Sequence, residues 1–249
     1  MDSSLIGNSQ IYFSVIVVTL NAENTIKRCL DSLQFQSFKN FEIINIDGGS
    51  DDTTLEFFSA YPNLKIRSIS EKDKGLYFAM NKGLSLANGK IIAILNSDDY
   101  YLPNTLQIVF RNFQNNPEID VLAGSTSLSG RVLQNPNLMD LRKEMIPHPS
   151  LFVKKDCYMK FGFFNTKFRV AADYEFVLRI TKEGVIIQKI NELLAIMTPG
   201  GFSSRNVFRS ILETTILQRR YNNWNLAYTL VQLCKYILGT YMRKINLTN

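Results

Sequence analysis

Three apolar runs, each stopping at polar residues able to hold a ligand, constrain this chain more than anything else in it. Ile91-Ile92-Ala93-Ile94-Leu95 leads into Asn96-Ser97-Asp98-Asp99. Phe13-Ser14-Val15-Ile16-Val17-Val18 stops at Thr19-Leu20-Asn21. Phe41-Glu42-Ile43-Ile44-Asn45-Ile46 stops at Asp47, before Gly48-Gly49-Ser50-Asp51-Asp52-Thr53-Thr54. Apolar runs of this length read as strands buried on both faces, the pattern of a parallel sheet. Ligand sites of open α/β sheets lie beyond the carboxyl ends of such strands. The adjacent anions Asp98 and Asp99 are costly there unless a cation or strong donor faces them. Mg²⁺ typically binds one or two carboxylates plus substrate phosphates, so a metal holding a phosphate fits that place.

Between the runs the spacing predicts helices. Ile26, Cys29, Leu30 and Leu33 share one helical face. The glycines after Asp47 permit positive φ and close backbone approach, and Asp51 or Thr53 is expected to cap a helix through Leu55, Phe57 and Phe58. Residues 64–70 read as a strand, and Leu76, Ala79, Met80, Gly83, Leu84 and Ala87 as a helical stripe ending at Gly89, a C-cap. Pro103 is expected to open a helix carrying Leu106, Val109, Phe110 and Phe113, with a strand at 119–123. Alternation of this kind places helices on the faces of a parallel sheet.

The second part has another texture. Residues 127–134 resemble a short hairpin turning at Ser129-Gly130. Ile146-Pro147-His148-Pro149-Ser150 precedes a short strand, Leu151-Phe152-Val153, and Asp173 begins a helix through Phe176, Val177 and Ile180. Residues 185–197 read as a strand or a pair, and Thr198-Pro199-Gly200-Gly201-Phe202-Ser203-Ser204 as a flexible loop. From Val207 the pattern is helical to the end, with a break at Arg219-Arg220-Tyr221-Asn222-Asn223. The stretch 224–243 is apolar nearly all round and carries Lys235 and Arg243. It packs on the domain or lies on an anionic membrane surface. Gln232 and Lys235 near its centre argue against spanning.

With 249 residues the chain holds one large domain, expected at 1–206, and a helical appendage at 207–249. A net charge of +6 favours anionic partners. Lys and Arg are scattered and form no basic-aromatic stripe, so nucleic acid is not the expected partner. Cys29, Cys157 and Cys234 lie far apart without zinc spacing and read as buried free thiols of a reducing compartment. The polar start, Met1-Asp2-Ser3-Ser4, lacks a secretory pattern, and no apolar stretch reaches spanning length. The expected location is cytoplasmic, with peripheral contact on the inner face of the cytoplasmic membrane.

Four segments in this order resemble the family 2 glycosyltransferases: 14–21, 46–53, Ser70-Glu71-Lys72-Asp73-Lys74-Gly75-Leu76-Tyr77 and 95–99. His148-Pro149-Ser150-Leu151-Phe152, Ala171-Ala172-Asp173-Tyr174-Glu175 and Gly200-Gly201-Phe202-Ser203 match as well. The resemblance covers about residues 13–205. It implies the GT-A fold, a Rossmann-like, mixed but mostly parallel sheet with flanking helices, here followed by C-terminal helices. It also implies an inverting transfer from a nucleotide-sugar, a UDP-sugar in this reading. The closest likeness is to bacterial enzymes of O-antigen, capsule or exopolysaccharide synthesis, which act on lipid-diphosphate-linked saccharide acceptors. Asn96 stands where many relatives begin their metal motif with Asp, and Phe78 where they often carry Asp.

By this resemblance Asp98 and Asp99 bind Mg²⁺ or Mn²⁺, and Asp98 also faces the donor. Asp47 reads the nucleobase, with Thr19 and Asn21 lining the same pocket and Lys74 on the substrate side. Asp173 is the general base, and Glu175 a reserve candidate. His148, the single histidine, lines the acceptor or phosphate side, and Arg205 closes a loop over the diphosphate. Each role has a plainer counterpart: a turn carboxylate at Asp47, a helix-start residue at Asn21, an N-cap at Asp173, a hydrogen-bonded structural histidine, an ordinary linker around Arg205. Two rivals stand beside the transferase. A nucleotidyltransferase would want a glycine-rich basic loop where Thr19-Leu20-Asn21-Ala22-Glu23 stands, and a degenerate binding module draws only on Asn96 and Phe78.

Overall fold

The computed structural model describes residues 10–133 and 145–221. The apolar runs form β1 (Phe13–Thr19), β2 (Phe41–Asp47) and β4 (Ile91–Asn96), with β3 (Ile66–Ser70) at the edge. They lie parallel in the order β3-β2-β1-β4. Successive side chains on a strand point to opposite faces. Ile16, Val18, Ile44 and Ile46 therefore share one core with α3 (Leu76–Leu86). Val15, Val17 and Ile43 share the other with α1 (Ile26–Gln34). Helix α1 buries Ile26, Cys29, Leu30 and Leu33, the face its spacing predicts.

The remaining strands mix direction. After β4 come β5 (Tyr100–Tyr101), α4 (Thr105–Asn115) and β6 (Val121–Leu128). A hairpin joins β6 to β7 (Arg131–Leu133). Its turn residues Ser129 and Gly130 both have positive φ, at 53° and 79°, as a two-residue hairpin requires. Strand β8 (Leu151–Lys154) inserts between β4 and β6, antiparallel to both. Strand β9 (Ile187–Met197) runs parallel to β6 and takes β5 antiparallel on its outer side. Helices α5 (Lys155–Phe161), α6 (Ala172–Lys182), α7 (Phe202–Arg205) and α8 (Val207–Arg220) complete the helices named among the described residues. Among the described residues the sheet has nine strands.

Several local expectations are corrected. Neither Asp51 nor Thr53 caps α2 (Thr54–Ser59) with its side chain; the Thr54 N–H donates to Asp52 Oδ1, at 2.9 Å. Gly89 is not a C-cap, because α3 ends three residues earlier. Its role is close approach: a Cβ there would stand 2.4 Å from the Ser14 nitrogen. Helix α4 starts two residues past Pro103, whose carbonyl accepts the Ser37 N–H instead. The loop expected at 198–204 contains the start of α7. Strand β5 and helix α5 had no periodic signal, being two and seven residues long.

Helix α8 is tied to the domain. Leu217 is fully buried, and Glu213 accepts the N–H groups of Arg169, Val170 and Ala171 at 3.0, 2.8 and 3.1 Å. Residue 171 is the N-cap of α6, so α8 fixes where α6 begins. Among the described residues no helix is long and apolar enough to cross a membrane. The reading of 224–243 as packed or interfacial lies outside the described residues. Cys29 and Cys157 are buried free thiols.

Candidate active site

The parallel register brings Thr19, Asp47 and Ser70 side by side at the carboxyl rim. Asp47 is fully buried. Its Oδ2 accepts the N–H groups of Gly49 and Ser50 at 3.0 and 2.9 Å and the Ser70 hydroxyl at 2.7 Å. Its Oδ1 accepts the Ser50 hydroxyl, and the Thr19 hydroxyl, at 2.9 Å, shares its proton between Asp47 and Asn45. A carboxylate has about four lone-pair positions, and these are taken. Burial works to raise the Asp47 pKa, but the bonds from Ser50, Ser70 and Thr19 outweigh it and hold the group below the ordinary carboxylate range. These bonds tie Asp47 into the loop after β2, and the Thr19 hydroxyl is turned inward with it.

Asn21 has a left-handed backbone, φ 48°. Its N–H donates to Ser50 Oγ at 2.9 Å, and its Oδ1 accepts the Asp51 N–H at 3.0 Å. It stitches the β1 loop to the β2 loop, and α1 begins only five residues later.

Beyond β4 the two carboxylates diverge. Asp99 is 2 % exposed, and its Oδ1 accepts the Thr198 N–H at 3.0 Å. Burial first, then the charge of Asp98, pushes its pKa up to about 7. Asp98 is half-buried and faces the loop before α7; its Oδ2 lies 3.2 Å from where a Gly201 Cβ would stand. Arg28 of α1, which sequence reading missed, donates to the Asp98 carbonyl at 2.9 Å and to Thr198 Oγ1. It also lies over the Tyr100 ring. Nothing in the spacing of α1 marks Arg28, because it sits on the exposed side and meets residues 70 and 170 positions away.

Asp173 occupies the first turn of α6, 7 % exposed. Its Oδ1 accepts the Tyr77 hydroxyl at 2.9 Å and the Tyr174 N–H at 2.8 Å. His148 Nδ1 stands 3.3 Å from its Oδ2. Burial, then the Asp173 charge, raises the Tyr77 pKa far out of reach, so the phenol stays a donor. For His148 burial disfavours the cation, but the bond and charge of Asp173, with the charges of Asp99 and Asp98, prevail and raise its pKa. His148 thus links the β4 carboxylates to Asp173. Its Nε2 and the Asn96 Oδ1 are buried without a hydrogen-bond partner among the described residues. Tyr77 stood inside a quoted segment, yet its bond to Asp173 spans 96 positions.

The other candidates are placed as follows. Lys74 is exposed on the loop between β3 and α3. Arg205 is exposed at the end of α7, with Nε donating to the Gly200 carbonyl at 2.9 Å. Glu175 points away from the rim and is held by Arg179 and the Tyr221 hydroxyl. Phe78 is 42 % exposed beside buried Tyr77. A cavity of about 440 Å³ opens at the other end of β1 and β4, around Tyr12, Asn88 and Lys154, and holds none of these residues.

Solved structures share this architecture. Staphylococcus aureus TarS, residues 1–349, crystallised with UDP-GlcNAc, superposes with a TM-score of 0.71 at 22% identity over 84% of this chain. This chain spans 65% of that one. The mannosyltransferase PcManGT of Pyrobaculum calidifontis, in complex with GDP-Man and Mn²⁺, gives 0.70 at 17% identity over 88% of this chain and 66% of its own. In sequence, a PGL/p-HBAD biosynthesis glycosyltransferase of Mycobacterium tuberculosis is 29% identical over 218 residues, 84% of this chain and 85% of that one. The sequence model described as glycosyl transferase family 2 matches residues 14–170. With the mixed sheet, the acidic rim and this match in place, the chain belongs to glycosyl transferase family 2.

Proposed function

We propose that the chain is an inverting, metal-dependent transferase moving a sugar from a UDP-sugar to a hydroxyl of a lipid-linked saccharide in surface polysaccharide synthesis. One observation carries the reading. The rim gathers Asp98, Asp99, His148 and Asp173, three separate stretches of chain, around buried polar atoms that lack partners among the described residues. UDP and UDP-GlcNAc bound to TarS support the donor class. The likeness to a PGL/p-HBAD biosynthesis enzyme supports a glycolipid acceptor.

Asp98 and Asp99 suit Mg²⁺ or Mn²⁺: two adjacent carboxylates, one raised to about 7 by burial and by its neighbour, are relieved by a cation. Among the described residues no group of three or more His, Cys, Asp or Glu is arranged as a metal site; Asp98 and Asp99 would hold the cation, and oxygens of the substrate diphosphate would supply its other ligands. When bound, the cation stabilises the charge that builds on the leaving diphosphate. Asp173 accepts the proton of the attacking hydroxyl while the bond from that oxygen to the anomeric carbon forms and the bond to the phosphate oxygen breaks. Tyr77, the Tyr174 N–H and His148 hold the carboxylate oriented for that transfer. The loop before α7, with Arg205, closes the diphosphate side.

Thermal shift with UDP, GDP, dTDP and CDP, each with and without Mn²⁺, tests the reading. A Mn²⁺-dependent rise with UDP is expected. No rise with any nucleotide would leave a family-2 fold without donor binding and contradict it.

A further inference from the structure

Asp47 is closed off by its own loop, so another group must meet the base edge of the nucleotide. Gly48, the next residue, leaves a gap over the rim, and Asp73 fills it. A Cβ on Gly48 would stand 2.9 Å from Asp73 Oδ2 and 3.4 Å from its Cγ. Asp73 comes from the loop between β3 and α3, twenty-six residues after Asp47. Its Oδ1 accepts the Gly75 N–H at 2.8 Å, which fixes the carboxylate orientation. Its Oδ2 carries no protein hydrogen bond among the described residues, and the side chain is exposed. Beside the same gap lies Leu20, with Cδ1 3.5 Å from the Gly48 Cβ position and 61 % of its surface open.

We propose that Asp73 reads the nucleobase, accepting the ring imide N–H of uracil on Oδ2 while the base lies against Leu20. The assignment rests on the nucleotide-sugar reading above. An ionised carboxylate only accepts hydrogen bonds. It suits the N3–H of uracil or thymine and opposes the N3 lone pair of cytosine. A carboxylate can also grip the guanine edge through two parallel bonds, but here Oδ1 is turned to the Gly75 N–H, and Oδ2 is the oxygen nearest the gap over Gly48. A single acceptor beside an apolar wall matches an imide better.

The test is calorimetric binding of UDP, CDP and GDP, with Mn²⁺, to the full chain and to Asp73→Ala, Asp73→Asn and Gly48→Ala. Wild type is expected to prefer UDP. Asp73→Ala should weaken UDP about tenfold, the worth of one charge-assisted bond. Asp73→Asn should narrow the gap between UDP and CDP, since an amide N–H can face the cytosine N3. Gly48→Ala should also weaken UDP by pushing the Asp73 carboxylate aside. Unliganded melting temperatures should match wild type, because Asp73 is exposed. If wild type binds UDP and Asp73→Ala binds it equally, this assignment falls and the transferase reading stands. If wild type prefers GDP or CDP, the base assignment falls and the transferase reading stands. If wild type binds no nucleotide, both fall.

Discussion

The two carboxylates Asp47 and Asp173 are both buried at the same rim, and their surroundings could hardly differ more. Around Asp47 every lone pair is used, by donors within its own loop and on its two neighbouring strands. Around Asp173 the donors come from α3, α6 and the turn at 148, and next to them lie His148 Nε2 and Asn96 Oδ1, without partners among the described residues. Asp99 close by is pushed up to about 7. Saturated polar groups build shape, while unsatisfied or electrostatically uneasy ones mark the place where a ligand is needed. On the proposed reading, the bonds of Asp47 build the scaffold of the β1–β2 side, over which the base would lie, and the half built by β4, the 148 turn and α6 carries the chemistry.

The largest effect that could break this contrast is on turnover. Asp173→Asn keeps an acceptor for Tyr77 but cannot take a proton, so kcat should fall by about 10²- to 10⁴-fold. Its melting temperature should stay near wild type, as active-site groups are seldom tuned for stability. Asp47→Ala should do the reverse in kind. Leaving the Gly49 and Ser50 N–H groups and two hydroxyls without an acceptor costs about 3 kcal/mol of stability, read as a drop of about 6–12 °C in melting temperature. If instead Asp47→Ala melts like wild type, the scaffold half of the comparison is wrong.

A smaller effect sharpens it. Glu213 of α8 accepts three N–H groups just before α6, and those bonds, with Arg209, hold its pKa below the ordinary value despite burial. Glu213→Gln removes one of the two strong acceptors and should cost about 1–2 kcal/mol. Because it positions Asp173, kcat should fall while UDP affinity stays. Both Asp47 and Glu213 have folded pKa values below their unfolded ones, so their contribution is present above an unfolded value of about 4 and is lost as pH falls through the folded value. Melting temperature should rise as pH falls from about 7 to 5, because Asp99, with its folded pKa near 7, takes up its proton in the folded chain first, and should fall below about pH 4 as the Asp47 and Glu213 contributions are lost. The acid limb should be shallower in Glu213→Gln.

Much of the fold was legible because it is written in short-range pattern. The apolar runs of β1, β2 and β4, the 26/29/30/33 face of α1 and the Ser129-Gly130 turn each declare themselves within a dozen residues. What was hidden depends on distance. Strand β5 exists only because β9 passes beside it, and β8 runs antiparallel between β4 and β6 for reasons no local period encodes. In the site, Asp173 was visible at a helix start. Its partners Tyr77 and His148, the Glu213 clasp and the Arg28 bond could emerge only from the folded chain. Asp47 and Asp73 make the sharpest case: motif position favoured the first, and the bonds it already makes turn attention to the second.

The central claim is that Asp173 does the chemistry on a donor held elsewhere in the rim. The most direct measurement is UDP release from a panel of UDP-sugars, with a bacterial membrane lipid extract as acceptor source, by wild type and Asp173→Asn, alongside UDP binding by both. The account predicts release by wild type, release lowered at least a hundredfold in Asp173→Asn, and equal UDP affinity. Release from Asp173→Asn at the wild-type rate would contradict it.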